Sequence, residues 1–154
     1  FISKIKNAKA IVTLDADGQH TIDDVVTFAK EIRNCKEDII FGSRFLLHSQ
    51  NVPVIKRLVL RIICYVTNKV SKVQLTDVHN GLKAYKVSTL DKLNITIDRY
   101  GFESQIIHSV GKNNVAYKEL PTNTKYTDYS RGKGQKIQDG LLILEDLFNE
   151  KGSK

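Results

Sequence analysis

The sequence predicts an α/β fold with a parallel sheet, on three observations in its opening third. A short β-rich run spans Ala10 to Leu14. Apolar residues at helical spacing follow at Ile22, Val25, Val26, Phe28, Ala29 and Ile32, and a second β-rich run covers Asp38 to Phe41. Strand, helix, strand in that order is the pattern of a βαβ unit, whose strands run parallel. Ligands of such sheets gather beyond the carboxyl ends of the strands, and Asp15, Asp17 and Arg44 fall at those ends.

The later elements continue the pattern. After Pro53 a long helix is expected to about Val70, with Val54, Ile55, Leu58, Val59, Ile62, Ile63, Val66 and Val70 on one broad stripe. Lys56, Arg57, Arg61 and Lys69 surround that stripe. This suits a helix covering the sheet with a solvated charged face, or one that also lies on a membrane surface. Thr76 to Tyr85 reads as a polar turn entering a short strand, with Gly81 as its pivot. Glu103 to Gly111 reads as a helix with Ile106, Ile107 and Val110 inward, and Val115 to Leu120 as a strand leading to Pro121. A basic loop containing Gly132 and Gly134 then precedes a last helix over Lys136 to Asn149, carrying Ile137, Leu141, Leu144, Leu147 and Phe148.

At 154 residues the chain fits one domain with a substantial core, and 41% hydrophobic with 27% charged residues is ordinary for a soluble protein. Cys35 and Cys64 are the only cysteines, which supports neither a disulfide framework nor a zinc cluster and fits a reducing compartment. A net charge of +7 and a pI near 9.4 imply an anionic partner. The positive charge concentrates at Lys56 to Lys72 and at Lys125 to Lys136, and aromatic residues do not interleave with it as stacking platforms, so nucleic acid is not expected. No run of about 20 apolar residues suggests a membrane span. The chain begins at Phe1 and contains no Met, so it is expected to be a piece of something longer.

Asp15 and Asp17 form the most informative pair. In an extended segment residues i and i+2 point to one side, so both carboxylates can aim at one hard cation, and Gln19 keeps the same parity. Carboxylate and amide oxygens suit Mg²⁺ or Mn²⁺, which often leave coordination positions for substrate phosphates. A calcium loop of the EF-hand kind is excluded, because its sixth and twelfth positions would be His20 and Val26 instead of Gly and Glu. An aspartate-nucleophile phosphohydrolase and a nucleotide-sugar transferase both remain compatible with the pair. Thr21, Asp23 and Asp24 fit the start of a helix as capping residues. A non-enzymatic module binding a polyanion or a membrane surface is the third class.

Four segments taken in order resemble the family-2 glycosyltransferases of the GT-A fold, in particular the polyprenyl-phosphate or dolichyl-phosphate hexosyltransferase branch. They are Val12-Thr-Leu-Asp-Ala-Asp-Gly-Gln-His20, Gly42-Ser-Arg44, Thr76-Asp-Val-His-Asn-Gly-Leu-Lys-Ala-Tyr85 and Tyr126-Thr-Asp-Tyr-Ser-Arg-Gly-Lys-Gly-Gln135. The resemblance implies a partial GT-A, Rossmann-like fold, with a mixed, mostly parallel sheet flanked by helices. Residues 1–150 would form the C-terminal part of the catalytic domain and 151–154 a tail. An N-terminal nucleotide-binding half of two or three βα units, about 60 to 90 residues, would be missing. Such a truncated chain would bind nucleotide poorly and tend to self-associate.

The implied activity is metal-dependent, inverting transfer of a hexose from a UDP- or GDP-sugar to a lipid phosphate, at the cytoplasmic face of a membrane. Asp15, Asp17 and Gln19 would hold Mg²⁺ or Mn²⁺, with Asp15 partly facing sugar or ribose. Arg44 would grip phosphate, the competing reading being a salt bridge to Asp15 or Asp77. Asp77 stands where relatives that glycosylate hydroxyls carry a base, but an ionised lipid phosphate needs none, so Asp77 would organise the site. Arg131, Lys133 and Lys136 would form a lid over the anionic donor, and Tyr126 and Tyr129 could stack on sugar or lipid. His20 and His79 are weaker candidates, for the metal and for base catalysis. The last segment departs from the dolichyl-phosphate mannose pattern, which argues against a mannose donor and toward the bacterial polyprenyl branch.

Overall fold

A computed structural model of the chain describes residues 7–46, 54–93 and 102–123. Along the chain run β1 (Ala10–Thr13), α1 (Ile22–Asn34), β2 (Ile39–Ser43), α2 (Val54–Ser71), β3 (Lys83–Lys86), a 3-10 turn (Val87–Lys92), α3 (Phe102–Lys112) and β4 (Tyr117–Pro121). The last predicted helix, Lys136 to Asn149, lies outside the described residues.

The strands form a four-stranded mixed sheet in the order β1-β3-β2-β4. β2 pairs with β4 in parallel, while β3 pairs antiparallel with both β1 and β2. β1, β2 and β4 therefore point one way, as the opening βαβ pattern requires. β1 and β2 are not direct neighbours, however, because the reversed β3 lies between them.

Helices cover both faces. Ile40, Leu82 and Ala84 pack with Phe28 and Ile32 of α1 on one face. Side chains alternate along a strand, so Ile39, Phe41 and Tyr85 point the other way, toward Ile63 and Cys64 of α2 and Ile106, Ile107 and Val110 of α3. α1 starts at Thr21, whose Oγ1 accepts from the Asp24 N–H at 3.2 Å. Asp24 itself does a different job from the expected cap. Its carboxylate accepts from the backbone N–H and the side-chain amide of Asn123, tying α1 to the end of β4. Ile22 and Val26 fit the helical spacing but point to solvent.

α2 corrects the predicted stripe. Leu58 and Ile62 are exposed, with Tyr65 beside them, whereas Ile63, Cys64, Thr67 and Ser71 are buried. The cause is close packing against α3: a Cβ on Gly111 would lie 1.7 Å from the Ser71 carbonyl oxygen. Backbones that close admit small side chains. The buried face thus includes Thr and Ser, and hydrophobicity alone places the stripe wrongly.

Candidate active site

The topology brings four chain segments to one rim of the sheet. β1, β2 and β4 deliver their carboxyl ends there, and the reversed β3 delivers its amino end. The register aligns Lys83 with Thr13 on one side and Phe41 on the other, and Ser43 with Pro121. Asp15, Arg44, the turn preceding Lys83 and Thr122 therefore meet at this rim.

Arg44 and Asp77 form its buried centre. Arg44 Nε donates to Asp77 Oδ2 at 2.6 Å and Nη2 to Oδ1 at 2.8 Å, a bidentate pair with both side chains almost wholly enclosed. The Arg44 N–H also donates to Asp77 Oδ2, the His79 N–H donates to Asp77 Oδ1, and Arg44 Nη2 reaches the His79 carbonyl oxygen. Burial pushes the Asp77 carboxyl up, but the hydrogen bonds and charge of Arg44, with the two N–H donors, bring it below the ordinary value. Of the two salt bridges the sequence left open for Arg44, the structure has the one to Asp77.

Glu119, which the sequence reading passed over, supports this centre. Its carboxylate accepts from the Thr76 N–H at 2.8 Å, the Thr76 hydroxyl at 2.9 Å and the Asp77 N–H at 3.2 Å. Thr76 Oγ1 also lies 2.6 Å from Ser43 Oγ. Asn80 ties the same turn to β4, its amide donating to Thr122 Oγ1 and its carbonyl accepting from the Leu82 N–H. No spacing rule points to Glu119 or Asn80, since their partners are distant in sequence or local to one turn.

Asp15 and Asp17 are arranged differently. Asp15 is exposed and Asp17 and Gln19 half-buried. Asp17 Oδ1 accepts from the Gln19 N–H at 3.0 Å, a local turn that leaves its other oxygen outside this bond. Desolvation raises the Asp15 carboxyl above its ordinary value, and the charges of Glu103 and Asp17 add to the rise while Lys83 opposes it. Gly81 lies directly beneath: a Cβ there would sit 2.2 Å from Asp15 Oδ2. Gly81 is needed for this close approach, not as the conformational pivot expected, since Gly18 is the described glycine with a left-handed backbone.

Two half-buried histidines border the rim. Burial lowers the pKa of both His20 and His79, which favours the neutral ring, and each has a buried Nδ1 with no hydrogen-bond partner among the described residues. Lys83 is buried and pairs with Glu103 of α3. Arg131, Lys133, Lys136, Tyr126 and Tyr129 lie outside the described residues.

Oxygen donors from Asp15, Asp17 and Gln19 have the chemistry of a Mg²⁺ or Mn²⁺ site that substrate phosphates and water complete. Among the described residues no group of three or more His, Cys, Asp or Glu side chains is arranged to hold a metal ion, so the protein's share of such a site would be these few oxygens. No described helix is long and apolar enough to cross a membrane.

The rim thus combines accessible oxygen donors after β1 with a shielded arginine–carboxylate pair at the end of β2. No family model matches the chain. It is similar to the UDP-N-acetylglucosamine–dolichyl-phosphate N-acetylglucosaminyltransferase of Methanococcus voltae, at 30% identity over 151 residues, covering 96% of this chain and 60% of that protein. An uncharacterized protein of Methanocaldococcus jannaschii is 32% identical over 147 residues, covering 93% of this chain and 60% of its own length. The chain thus spans about three fifths of the length of these relatives.

Proposed function

We propose that the chain carries the cation- and acceptor-side residues of an inverting glycosyltransferase, which moves a sugar from a nucleoside-diphosphate donor to a polyprenyl or dolichyl phosphate. The carrying observation is that Asp15 and Asp17 after β1, Arg44 after β2 and Asp77 ahead of β3 come to one rim. Similarity to the Methanococcus N-acetylglucosaminyltransferase supports the reaction class and puts a UDP-linked donor and a dolichyl acceptor ahead of the alternatives.

In this reading an oxygen of the acceptor phosphate attacks the anomeric carbon. The bond to the donor diphosphate breaks and its electron pair leaves with the diphosphate. A divalent cation bound by Asp15, Asp17 and Gln19 would neutralise charge developing on that leaving group. The acceptor is already ionised and needs no base, in keeping with an Asp77 held as a low-pKa partner of Arg44. Asp77 fixes the guanidinium, and Glu119 fixes the turn that carries Asp77.

The outward face of α2 is the part we assign to the membrane surface. Leu58, Ile62 and Tyr65 are exposed, Arg61, Lys69 and Lys72 accompany them, and Lys69 Nζ lies 5.8 Å from the centre of the Tyr65 ring. The segment from Val54 to Lys72 contains no acidic residue. Binding to anionic vesicles is expected to weaken as salt rises; binding indifferent to salt would remove the electrostatic part of this assignment.

The decisive assay joins this chain to the nucleotide-binding segment expected before it, incubates that longer protein with Mn²⁺, UDP- or GDP-sugars and a polyprenyl phosphate, and follows lipid-linked sugar. Transfer that requires metal and disappears in Asp15→Ala and Asp17→Ala supports the reading. A folded protein that transfers from no nucleotide sugar overturns it.

A further inference from the structure

Lys83 occupies an unusual place for a cation. It stands between β1 and β2 at the rim, with its side chain 3% exposed and its Nζ 2.5 Å from Glu103 Oε1. Gly81, two residues before it, lies directly against the Asp15 carboxylate. Glu103 and Lys83 are also the charged groups that act most strongly on Asp15, with opposite signs. The ammonium therefore has two carboxylates in its neighbourhood and is hydrogen-bonded to one of them. Burying an ion pair carries a desolvation penalty, and well-packed apolar residues often serve stability equally well. Here only the Lys83 end is enclosed, while the Glu103 side chain is 29% exposed.

We propose that Glu103 is a positioning residue: it holds the Lys83 ammonium away from Asp15 and so keeps the Asp15 carboxylate free for a divalent cation. This rests on the reading of Asp15 as a cation ligand. Without the Glu103 charge, Lys83 gains by turning to Asp15 and competes there with the metal. Lys83 does not act on substrate in this scheme, and its enclosure explains why. Glu103 in turn needs no contact with the metal.

The test measures Mn²⁺ affinity of the whole chain by calorimetry, beside circular dichroism as a check of folding. Asp15→Ala should abolish the site. Glu103→Gln should weaken Mn²⁺ by about tenfold or more, the usual effect of losing a group that orients a metal ligand. Glu103→Gln combined with Lys83→Met should return affinity to near the wild-type level, because the competing ammonium is gone. Lys83→Met alone should bind Mn²⁺ at least as tightly as wild type, and this variant carries the test if Glu103→Gln does not fold.

Wild-type affinity in Glu103→Gln, no recovery in the double variant, or weakened binding in Lys83→Met each overturns the positioning role while Asp15 remains a ligand. Wild-type affinity in Asp15→Ala instead removes the cation site, and this role with it.

Discussion

The rim contains two carboxylates that the fold treats in opposite ways. Asp77 is enclosed, receives bonds from Arg44 and from backbone N–H groups, and is held below its ordinary pKa. Asp15 is exposed, rests on a glycine and is held above its ordinary pKa by desolvation and by Glu103. A carboxylate whose demands the protein has met is framework. One left accessible at the rim is suited to a cation from outside.

The sharpest way to break this comparison is Asp77→Ala, which strands a buried guanidinium. It should cost about 3–5 kcal/mol in denaturant unfolding, and a loss below about 1 kcal/mol would mean that the pair is not framework. The pH dependence follows from the sign of the shift. Because the folded pKa of Asp77 lies below 3.8, its contribution to stability is fully present above that value and is lost as pH falls through it toward the folded pKa. Asp77→Asn should lack this portion of the acid limb.

Two glycines extend the comparison. A Cβ on Gly42 would meet Asn80 Oδ1, the Leu82 carbonyl oxygen and Thr122 Cγ2, each at 2.8 Å. Some of those atoms are backbone or firmly bonded, so Gly42→Ala should cost about 1–3 kcal/mol. The three atoms nearest a Cβ on Gly81 all belong to the Asp15 carboxylate, a side-chain end that can move, so the stability loss of Gly81→Ala should be smaller while Mn²⁺ binding suffers. Equal stability losses at the two positions would contradict a movable Asp15. The smallest effect is expected for Asp15→Asn, within about 0.5 kcal/mol of wild type in stability, with cation binding lost.

Much of the fold was legible because each element carries its own period. α3 buries Ile106, Ile107 and Val110 as predicted, and α1, β1 and β2 fall within a residue or two of the expected ends. What sequence could not show was pairing across distance. The reversal of β3 depends on which strands it joins, and its four residues carry no sign of direction. Asp15, Asp17, Arg44 and Asp77 stood out because each sits in a polar break after or before a β-rich run. Their supports did not, since Glu119 finds Thr76 43 positions away and Glu103 finds Lys83 20 positions away. α2 misled for a related reason: its buried side is set by a backbone contact with Gly111, which no hydrophobicity pattern records.

The single reversed strand has an architectural effect. In a sheet with every strand running one way, each wall of a rim site must follow a strand. Here residues 77–81 enter the rim ahead of β3, so the segment holding Asp77, His79 and Gly81 is wired from the opposite direction to the one holding Asp15. The two walls are encoded by separate stretches of chain yet meet where Gly81 abuts Asp15, so a change of length between α2 and β3 acts on one side of the rim directly and on the other through that contact.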